Sequence, residues 1–236
     1  ENTADRLMQY GRANGLSRIA ILHSEDVPGQ FGRNAIQQAA SHNGVSVAAV
    51  QSYPLSVDGV TNAAQGMAQV ASNAGADSVF ITTDATNAAM PLLLQVMPEN
   101  GLDPSTYQYI GLTRWDVKPE LFSYPGAEGA WFTLPNQSMQ QNFSARYSAA
   151  YGAAPHPLAG LAFDGIAAVG ALVKQGRRDA LTGRALTQSA GFQGTGGVFR
   201  LKSDGTNQRG LAVATVRNNQ MVILDPAPSS FSGAGF

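Results

Sequence analysis

Residues 18–53 read RIAILHSEDVPGQFGRNAIQQAASHNGVSVAAVQSY and contain the pattern of one β-α-β unit. An apolar strand at 18–22 leads into an acidic turn that contains glycine. A helix is predicted from about Gly32 to His42, and an Asn-Gly pair ends it before a second strand at 45–53. α/β proteins bind ligands at the carboxyl ends of parallel strands, where such turns lie. The turn is therefore the first candidate ligand site.

The same alternation of strands and helices continues on both sides of this unit. A helix is predicted at 84–101, with Asp84 near its N-cap. Pro91 must lie in the first turns of that helix or kink it. Further helices are predicted at 3–14 and 60–74, and further strands at 78–83, 107–112 and 129–135. Five strands separated by helical patterns predict an α/β fold with a doubly wound, mainly parallel sheet.

The pattern changes after residue 136. A helix at 137–151 carries Phe143, Tyr147 and Tyr151 at helical spacing, and this aromatic stripe is predicted to be core. PHP at 155–157 interrupts the helical pattern before a helix rich in small residues. The segment 196–226 reads as three short strands joined by SDG and NN turns, which predicts a C-terminal antiparallel meander.

Composition excludes several classes of function. The 236 residues favour one large or two unequal α/β units. Lys and Arg number 15 against 16 Asp and Glu, so there is no basic excess for nucleic acid or anionic lipid. Cys is absent, which excludes thiolate metal sites and cysteine nucleophiles. No uncharged apolar run of about 18 residues predicts a membrane span.

The motifs of common catalytic sites are absent. No Lys follows Gly32 as a phosphate loop requires, and the turn lacks the spacing of GxGxxG. The helix start could hold an anionic ligand group, or the turn could be a plain connection. An extended turn contains His23, Glu25 and Asp26, and their spacing points the three side chains in different directions. This arrangement favours a solvated acidic turn over a metal site. No metal site, no cofactor and no catalytic residue is predicted.

Several single residues allow two interpretations. Asp84, Asp116 and Asp164 each lie near a predicted element end, where helix capping is favoured over catalysis. Trp115 follows the fourth strand and is adjacent to Arg114, at the sheet edge where ligands bind. Its indole could form the wall of a pocket or cover the end of the sheet, and the pocket wall is slightly favoured.

A set of motifs follows in a characteristic order along almost the whole chain. In order, these are RIAIL, an acidic turn ending in FG, QSYPLSVDGV, GADSVFITT, YQYIGLTRWD, GAWFTLP, FSARYSAAYGAAPHPLAGLAFDGIAAVGAL and GGVFRLKSDGTNQRGLAVATVRNNQMVIL. This order resembles the type I periplasmic binding-protein family that includes the Leu/Ile/Val-binding proteins. The ordered set of motifs, rather than any single one, carries this resemblance.

The resemblance implies two lobes joined by three crossovers. Residues 1–136 plus 195–228 then resemble the α/β second lobe, and 137–194 resembles a mostly helical remnant of the other lobe. Residues 229–236 are expected to form a flexible tail. The chain is accordingly expected to be a carboxyl-terminal portion of a longer protein.

The resemblance also implies a non-enzymatic function, in which a small ligand binds in the cleft between lobes and closure is the signal. The implied ligand contacts and their neighbours are Phe31, Thr83, Asp84, Thr113, Arg114 and Trp115. Two departures concern amino-acid binding, since the family often has tyrosine at Phe31 and an acidic residue where Thr113 and Arg114 stand. A ligand ammonium would meet Arg114 unless Asp116 or Asp84 compensates.

Three functions follow as expectations. The final residues, RGLAVATVRNNQMVILDPAPSSFSGAGF, are similar to envelope lipoproteins related to penicillin-binding protein activators. This similarity implies a periplasmic protein, with a lipid anchor in a missing N-terminal region, whose partner is a peptidoglycan synthase. The alternative is the solute receptor of an ABC importer for branched-chain or related amino acids, with a permease as partner. A minor alternative is an enzyme on a flavodoxin-like or Rossmann-like sheet, which would require Asp84, Thr113, Arg114 and Asp116 to cluster in a deep pocket.

Overall fold

The computed structural model describes residues 2–156, 158–176 and 178–231. Its helices are α1 Asn2–Ala13, α2 Val27–Asn43, α3 Val57–Ala74, α4 Ala89–Glu99, α5 Gln137–Tyr151, α6 Ala159–Lys174 and α7 Gly183–Leu186. Its strands are β1 Arg18–Ser24, β2 Ser46–Tyr53, β3 Ser78–Ile81, β4 Gln108–Gly111, β5 Trp131–Leu134, β6 Phe192–Gly194, β7 Gly197–Leu201, β8 Asn207–Arg209, β9 Ala212–Arg217 and β10 Gln220–Asp225. No described helix has the length and apolar character that crossing a bilayer requires.

The chain divides into two compact units. The first contains Thr3–Leu134 and Val213–Asp225, and the second contains Pro135–Ala212 and the residues from Pro226 onward. Residues 195–212, which the sequence analysis groups with the first unit, therefore lie in the second.

A seven-stranded sheet forms the centre of the first unit, in the order β10-β9-β5-β4-β3-β1-β2. The pairs β1–β2, β1–β3, β3–β4 and β4–β5 are parallel, whereas β9 and β10 are antiparallel. All of β3 and six of the seven residues of β1 are buried, as expected for parallel strands covered on both faces. The predicted α/β fold with a mainly parallel sheet is confirmed.

Two predicted helix starts are wrong. Helix α2 begins at Val27, five residues earlier than predicted, because Asp26 caps it and Pro28 fits its first turn. Helix α4 begins at Ala89, so Asp84 does not cap it and belongs to the preceding turn. Pro91 lies in the first turn of α4, as predicted.

The second unit contains α5, α6, α7 and a three-stranded antiparallel sheet in the order β6-β7-β8. A small core joins α6 to this sheet, with Ala168 and Leu172 packing near Phe192 and Phe199. The antiparallel pairing predicted for 196–226 is confirmed, but its strands divide between two sheets. Strands β7 and β8 pair in the second unit, and β9 and β10 pair in the first.

One sequence prediction in the second unit fails. The stripe of Phe143, Tyr147 and Tyr151 is not core, because helix α5 buries none of its residues and Tyr151 is 72% exposed. The rings contact one another instead. In the predicted tail, Phe231 is buried with the Arg200 guanidinium 4.7 Å from its ring centroid. Residues 232–236 of that tail lie outside the described residues.

Candidate functional site

A groove of about 530 Å³ lies at the carboxyl edge of the parallel strands in the first unit. It is bounded by the ends of β1, β3 and β4 and by the first turns of α2. Its lining residues are Thr3, Ser24, Asp26, Pro28, Gly29, Phe31, Gly32, Ala35, Thr82, Thr83, Asp84, Asn87, Leu112 and Thr113. Four of the six predicted site residues, Phe31, Thr83, Asp84 and Thr113, are therefore brought together.

The junction of β1 and α2 forms one wall of this groove. Ser24 Oγ donates to Asp26 Oδ1 at 2.5 Å, and the same oxygen accepts the backbone N–H of Gly29 at 3.0 Å. A Cβ on Gly29 would overlap the backbone oxygen of Ser24, so only glycine allows this close approach. The helix start is thus capped within the protein by a carboxylate.

Phe31 lies in the second turn of α2, where the sequence analysis expected a loop. Its side chain is 70% exposed and lines the groove. An exposed aromatic side chain beside polar groups can provide an apolar contact for a ligand.

Hydroxyl groups connect the ends of β2, β3 and β4. The hydroxyls of Tyr53 and Thr83 share a short hydrogen bond, and both side chains are buried. Burial, opposed by the hydrogen bond from Thr83, raises the pKa of Tyr53 above its ordinary value. Thr113 Oγ1 donates to Thr83 O at 3.3 Å and accepts the N–H of Ala85 at 3.1 Å.

Asp84 stands between these hydrogen-bonded groups and is exposed. Its Oδ1 accepts the backbone N–H of Thr86 at 2.8 Å and the Thr86 hydroxyl at 2.6 Å. Asp26 and Asp84 supply carboxylates to the groove, and its described lining contains neither Lys nor Arg. The groove therefore carries negative charge and hydroxyl groups.

Arg114 and Trp115 do not line the groove. Arg114 Nε donates to Asp116 Oδ1 at 3.0 Å, and the guanidinium makes a second, short contact with the same carboxylate. Trp115 is fully buried, stacks on Phe132 at 5.8 Å and leaves no room for a Cβ on Gly111. The structure thus favours the interpretation in which Trp115 covers the end of the sheet.

Of the four residues that the enzyme interpretation requires, Asp84 and Thr113 line the groove, whereas Arg114 and Asp116 do not. Asp84 bonds to Thr86, whereas Asp116 bonds to Arg114. His23 Nδ1 donates to Ser24 O at 2.8 Å from within β1. In the part of the chain that the structure describes, no group of three or more His, Asp or Glu residues could hold a metal.

Asp164 lies within α6 and caps no helix end. It is 1% exposed, accepts the Thr195 N–H at 2.7 Å and pairs with Arg209 Nη1 at 3.0 Å. The predicted capping role of Asp164 is therefore wrong, since the carboxylate instead connects α6 to the small sheet.

Sequence reasoning missed several residues of the groove. Thr82 precedes the predicted Thr83, and its buried Oγ1 has no hydrogen-bond partner among the described residues. Tyr53 is the last residue of β2, and only its hydrogen bond to the Thr83 hydroxyl identifies it as part of the site. Ser24 and Asp26 were part of the acidic turn, and the Asp-Val-Pro order was the available signal for a helix N-cap.

A second groove, of about 660 Å³, lies within the second unit between α5, the start of α6 and the β6–β7 turn. Phe143, Tyr147, Tyr151 and Phe163 line it together with Arg146. The neighbouring rings of Phe143 and Phe163 have centroids 5.4 Å apart. This largely aromatic surface was not predicted as a site.

Solved structures with the same fold include transport proteins. One is a candidate branched-chain amino acid ABC transporter from Rhodospirillum rubrum, with a TM-score of 0.74 and 15% sequence identity. A second is an ABC transporter substrate-binding protein from Desulfitobacterium hafniense in complex with Leu, with a TM-score of 0.64 and 18% identity. A third is an ABC transporter solute binding protein from R. palustris in complex with benzoate, with a TM-score of 0.63 and 15% identity. The matches cover 94%, 94% and 99% of this chain. The chain spans 64% of the length of each of these proteins.

Sequence comparison identifies the family. No curated protein sequence matches the chain. The family model described as periplasmic binding protein matches residues 1–220. The sheet order, the groove at the carboxyl edge and this match agree, and the chain belongs to the periplasmic binding protein family.

Proposed function

We propose that this protein is a receptor for a small solute and presents that solute to an ABC permease. The groove at the carboxyl edge of β1, β3 and β4 carries this proposal, because it combines two carboxylates, several hydroxyls and an exposed aromatic ring. Ligand sites typically combine apolar walls with a few convergent polar groups. Family membership implies an extracytoplasmic location, which fits such a receptor.

The charge of the groove supports a ligand with a cationic or hydrogen-bond-donating end. Asp26 and Asp84 would attract an ammonium and repel a carboxylate at the same position. Arg114 does not oppose an ammonium in the groove, because its guanidinium pairs with Asp116 and neither residue is part of the groove lining. Amino acids, amino-acid amides and related amines are therefore the proposed class, and aromatic acids such as benzoate are disfavoured as contacts of this edge.

The first test is ligand binding by the natively expressed, full-length protein. L-leucine, L-leucinamide and benzoate are screened by thermal shift and then by calorimetry. We expect an amine ligand to stabilise the folded state by about 2.7 kcal/mol at a concentration 100-fold above its Kd. Asp84→Asn should weaken binding of that ligand by about tenfold or more, because a charge-assisted hydrogen bond is lost.

The matched control is Glu120→Gln, which removes an exposed carboxylate outside the groove and should leave binding unchanged. Tight benzoate binding that Asp84→Asn does not alter would contradict the proposed ligand class. A protein that binds none of the three compounds would shift attention to a peptidoglycan synthase as partner. Pull-down with a penicillin-binding protein then tests that activator role.

We propose that the protein has no catalytic role. The pairing of Arg114 with Asp116, outside the groove lining that contains Asp84, supports this proposal, since the enzyme interpretation requires these groups to act together. Incubation with the bound amine ligand should return it chemically unchanged.

We propose further that 137–194 belongs to a lobe continued by polypeptide outside these 236 residues. Helix α6 buries only Asp164, Ala168 and Leu172, although its sequence is apolar almost all round. Helices of that composition are normally covered on most sides. The intact mass of the mature native protein tests this proposal, and a mature protein of 24.7 kDa would contradict it.

A further inference from the structure

We propose that Thr113, supported by Tyr53, is a positioning residue that fixes the backbone on both sides of Asp84 and so sets the place of its carboxylate. This inference rests on the proposed function for its effect on binding. Its structural part can be tested without any ligand.

A single hydroxyl connects the two peptide groups that flank Asp84. Thr113 Oγ1 donates to the carbonyl of Thr83, in the peptide group before Asp84, and accepts the N–H of Ala85, in the peptide group after it. The turn at Asp84 is thereby tied to the end of β4 at two points. A threonine hydroxyl has one donor and two acceptor positions, so this arrangement uses its donor fully.

Tyr53 holds the same turn from the opposite side of β3. Its phenol is completely buried at the end of β2, and its hydroxyl bonds to Thr83 Oγ1, which is also buried. Strand β3 lies two positions from β2 and next to β4 in the sheet order, so the hydrogen bonds brace the end of β3 from both directions. The hydroxyls of Thr83 and Thr113 are thus engaged within the protein.

Asp84 itself is then held in place while part of its carboxylate stays accessible. Oδ1 accepts two hydrogen bonds from Thr86, and no hydrogen bond from a described residue reaches Oδ2. A binding group that is fixed before the ligand arrives loses less conformational entropy on binding. Thr113 and Tyr53 consequently affect affinity through the position of the Asp84 carboxylate.

The experiment compares Thr113→Val, Thr113→Ser and Tyr53→Phe in the full-length protein. Valine has the shape of threonine without the hydroxyl, and serine keeps the hydroxyl. Hydrogen–deuterium exchange followed by mass spectrometry measures the protection of the Ala85 amide in peptides that span 82–90. Calorimetry with L-leucinamide and L-leucine measures affinity, and thermal melting monitors global stability.

We expect Thr113→Val to accelerate exchange at Ala85 about tenfold and to weaken the amine ligand about tenfold, with a small change in Tm. Thr113→Ser should keep the exchange rate and the affinity of the wild-type protein. Tyr53→Phe should change both quantities in the same direction as Thr113→Val. Unchanged exchange at Ala85 in Thr113→Val would overturn the inference. Faster exchange with unchanged affinity would also overturn it, since Thr113 would then have a structural role alone.

The failure of the inference and that of the proposed function can be distinguished. If neither amine binds the wild-type protein, the proposed ligand class is contradicted. Exchange at Ala85 that accelerates in Thr113→Val and recovers in Thr113→Ser would still support the hydrogen-bonded turn. The same exchange rate in all variants would overturn it.

Discussion

Buried tyrosine hydroxyls make the first unit sensitive to alkaline pH. Tyr109 is 1% exposed and donates to Leu102 O at 2.6 Å. Burial raises the pKa of Tyr109, and of Tyr53, above the ordinary value of 10.0. The folded state therefore holds these protons at a pH where the unfolded state releases them. Their contribution to stability is complete below about pH 10 and is lost as pH rises further.

Urea unfolding from pH 8 to 11.5 measures this loss. Tyr109→Phe should lower the free energy of unfolding at pH 8 by about 1 kcal/mol, because the Leu102 carbonyl loses its donor. The same variant should show a flatter decline above pH 10. Tyr151→Phe is the control, since Tyr151 is 72% exposed and its hydroxyl is not buried. An equal decline in all three proteins would contradict the prediction.

At the scale of single residues, sequence predicts position along the chain better than side-chain direction. Thr113 and Trp115 are two residues apart after β4, yet one lines the groove and the other is core. The 3-10 turn that begins at Trp115 decides this difference. The Tyr53–Thr83 contact joins residues 30 apart, and no local pattern encodes it.

Among the structural elements, the β9–β10 hairpin has a turn with a strict backbone requirement. Asn218 and Asn219 have φ values of 51° and 60°, which defines the left-handed geometry of a two-residue hairpin turn. Asn219→Val should reduce the free energy of unfolding by about 1–2 kcal/mol, because branched residues are strained at positive φ. Asn219→Gly should stabilise the hairpin. Chemical denaturation of each variant measures both effects.

The control for this hairpin is Gln220→Val, at the exposed first position of β10. Extended backbone accepts valine, so the change should stay within about 0.5 kcal/mol. A destabilised Gln220→Val together with a neutral Asn219→Val would show that the turn geometry does not limit stability.

The order of elements in the first unit could be predicted because periodicity and caps are local signals. Ser56 and Gly75 bound α3 as helix caps, and the predicted end at Ala74 is correct. The sequence predicts the start of α2 at Gly32, because Pro28 and Gly29 are typical turn residues. Pro28 instead occupies the first turn of the helix, where its missing N–H has no cost.

At the scale of the whole molecule, the exposed face of α6 allows a test of whether further polypeptide covers it. Ile166 is 77% exposed. Ile166→Glu should change the stability of the 236-residue chain by less than about 0.5 kcal/mol. In the full-length protein it should destabilise by about 2 kcal/mol or more if further polypeptide covers this face, because a charge would be buried. Thermal and urea unfolding of both forms measure the difference.

Val57→Glu is the control for this comparison. Val57 is 75% exposed at the start of α3 in the first unit, and an acidic residue suits a helix N-terminus. It should be tolerated in both forms. Equal tolerance of Ile166→Glu in both forms would contradict the proposed cover.

The exposure of Phe31 makes its position suitable for attaching a fluorescent label. The chain contains no Cys, so a cysteine introduced at position 31 would be the single thiol in these 236 residues. A side chain that is 70% exposed on the lining of the groove is accessible to a maleimide dye whose emission responds to local polarity. The labelled protein would then convert the arrival of a solute into an optical signal, and it would serve as a reagentless sensor for whatever the groove binds.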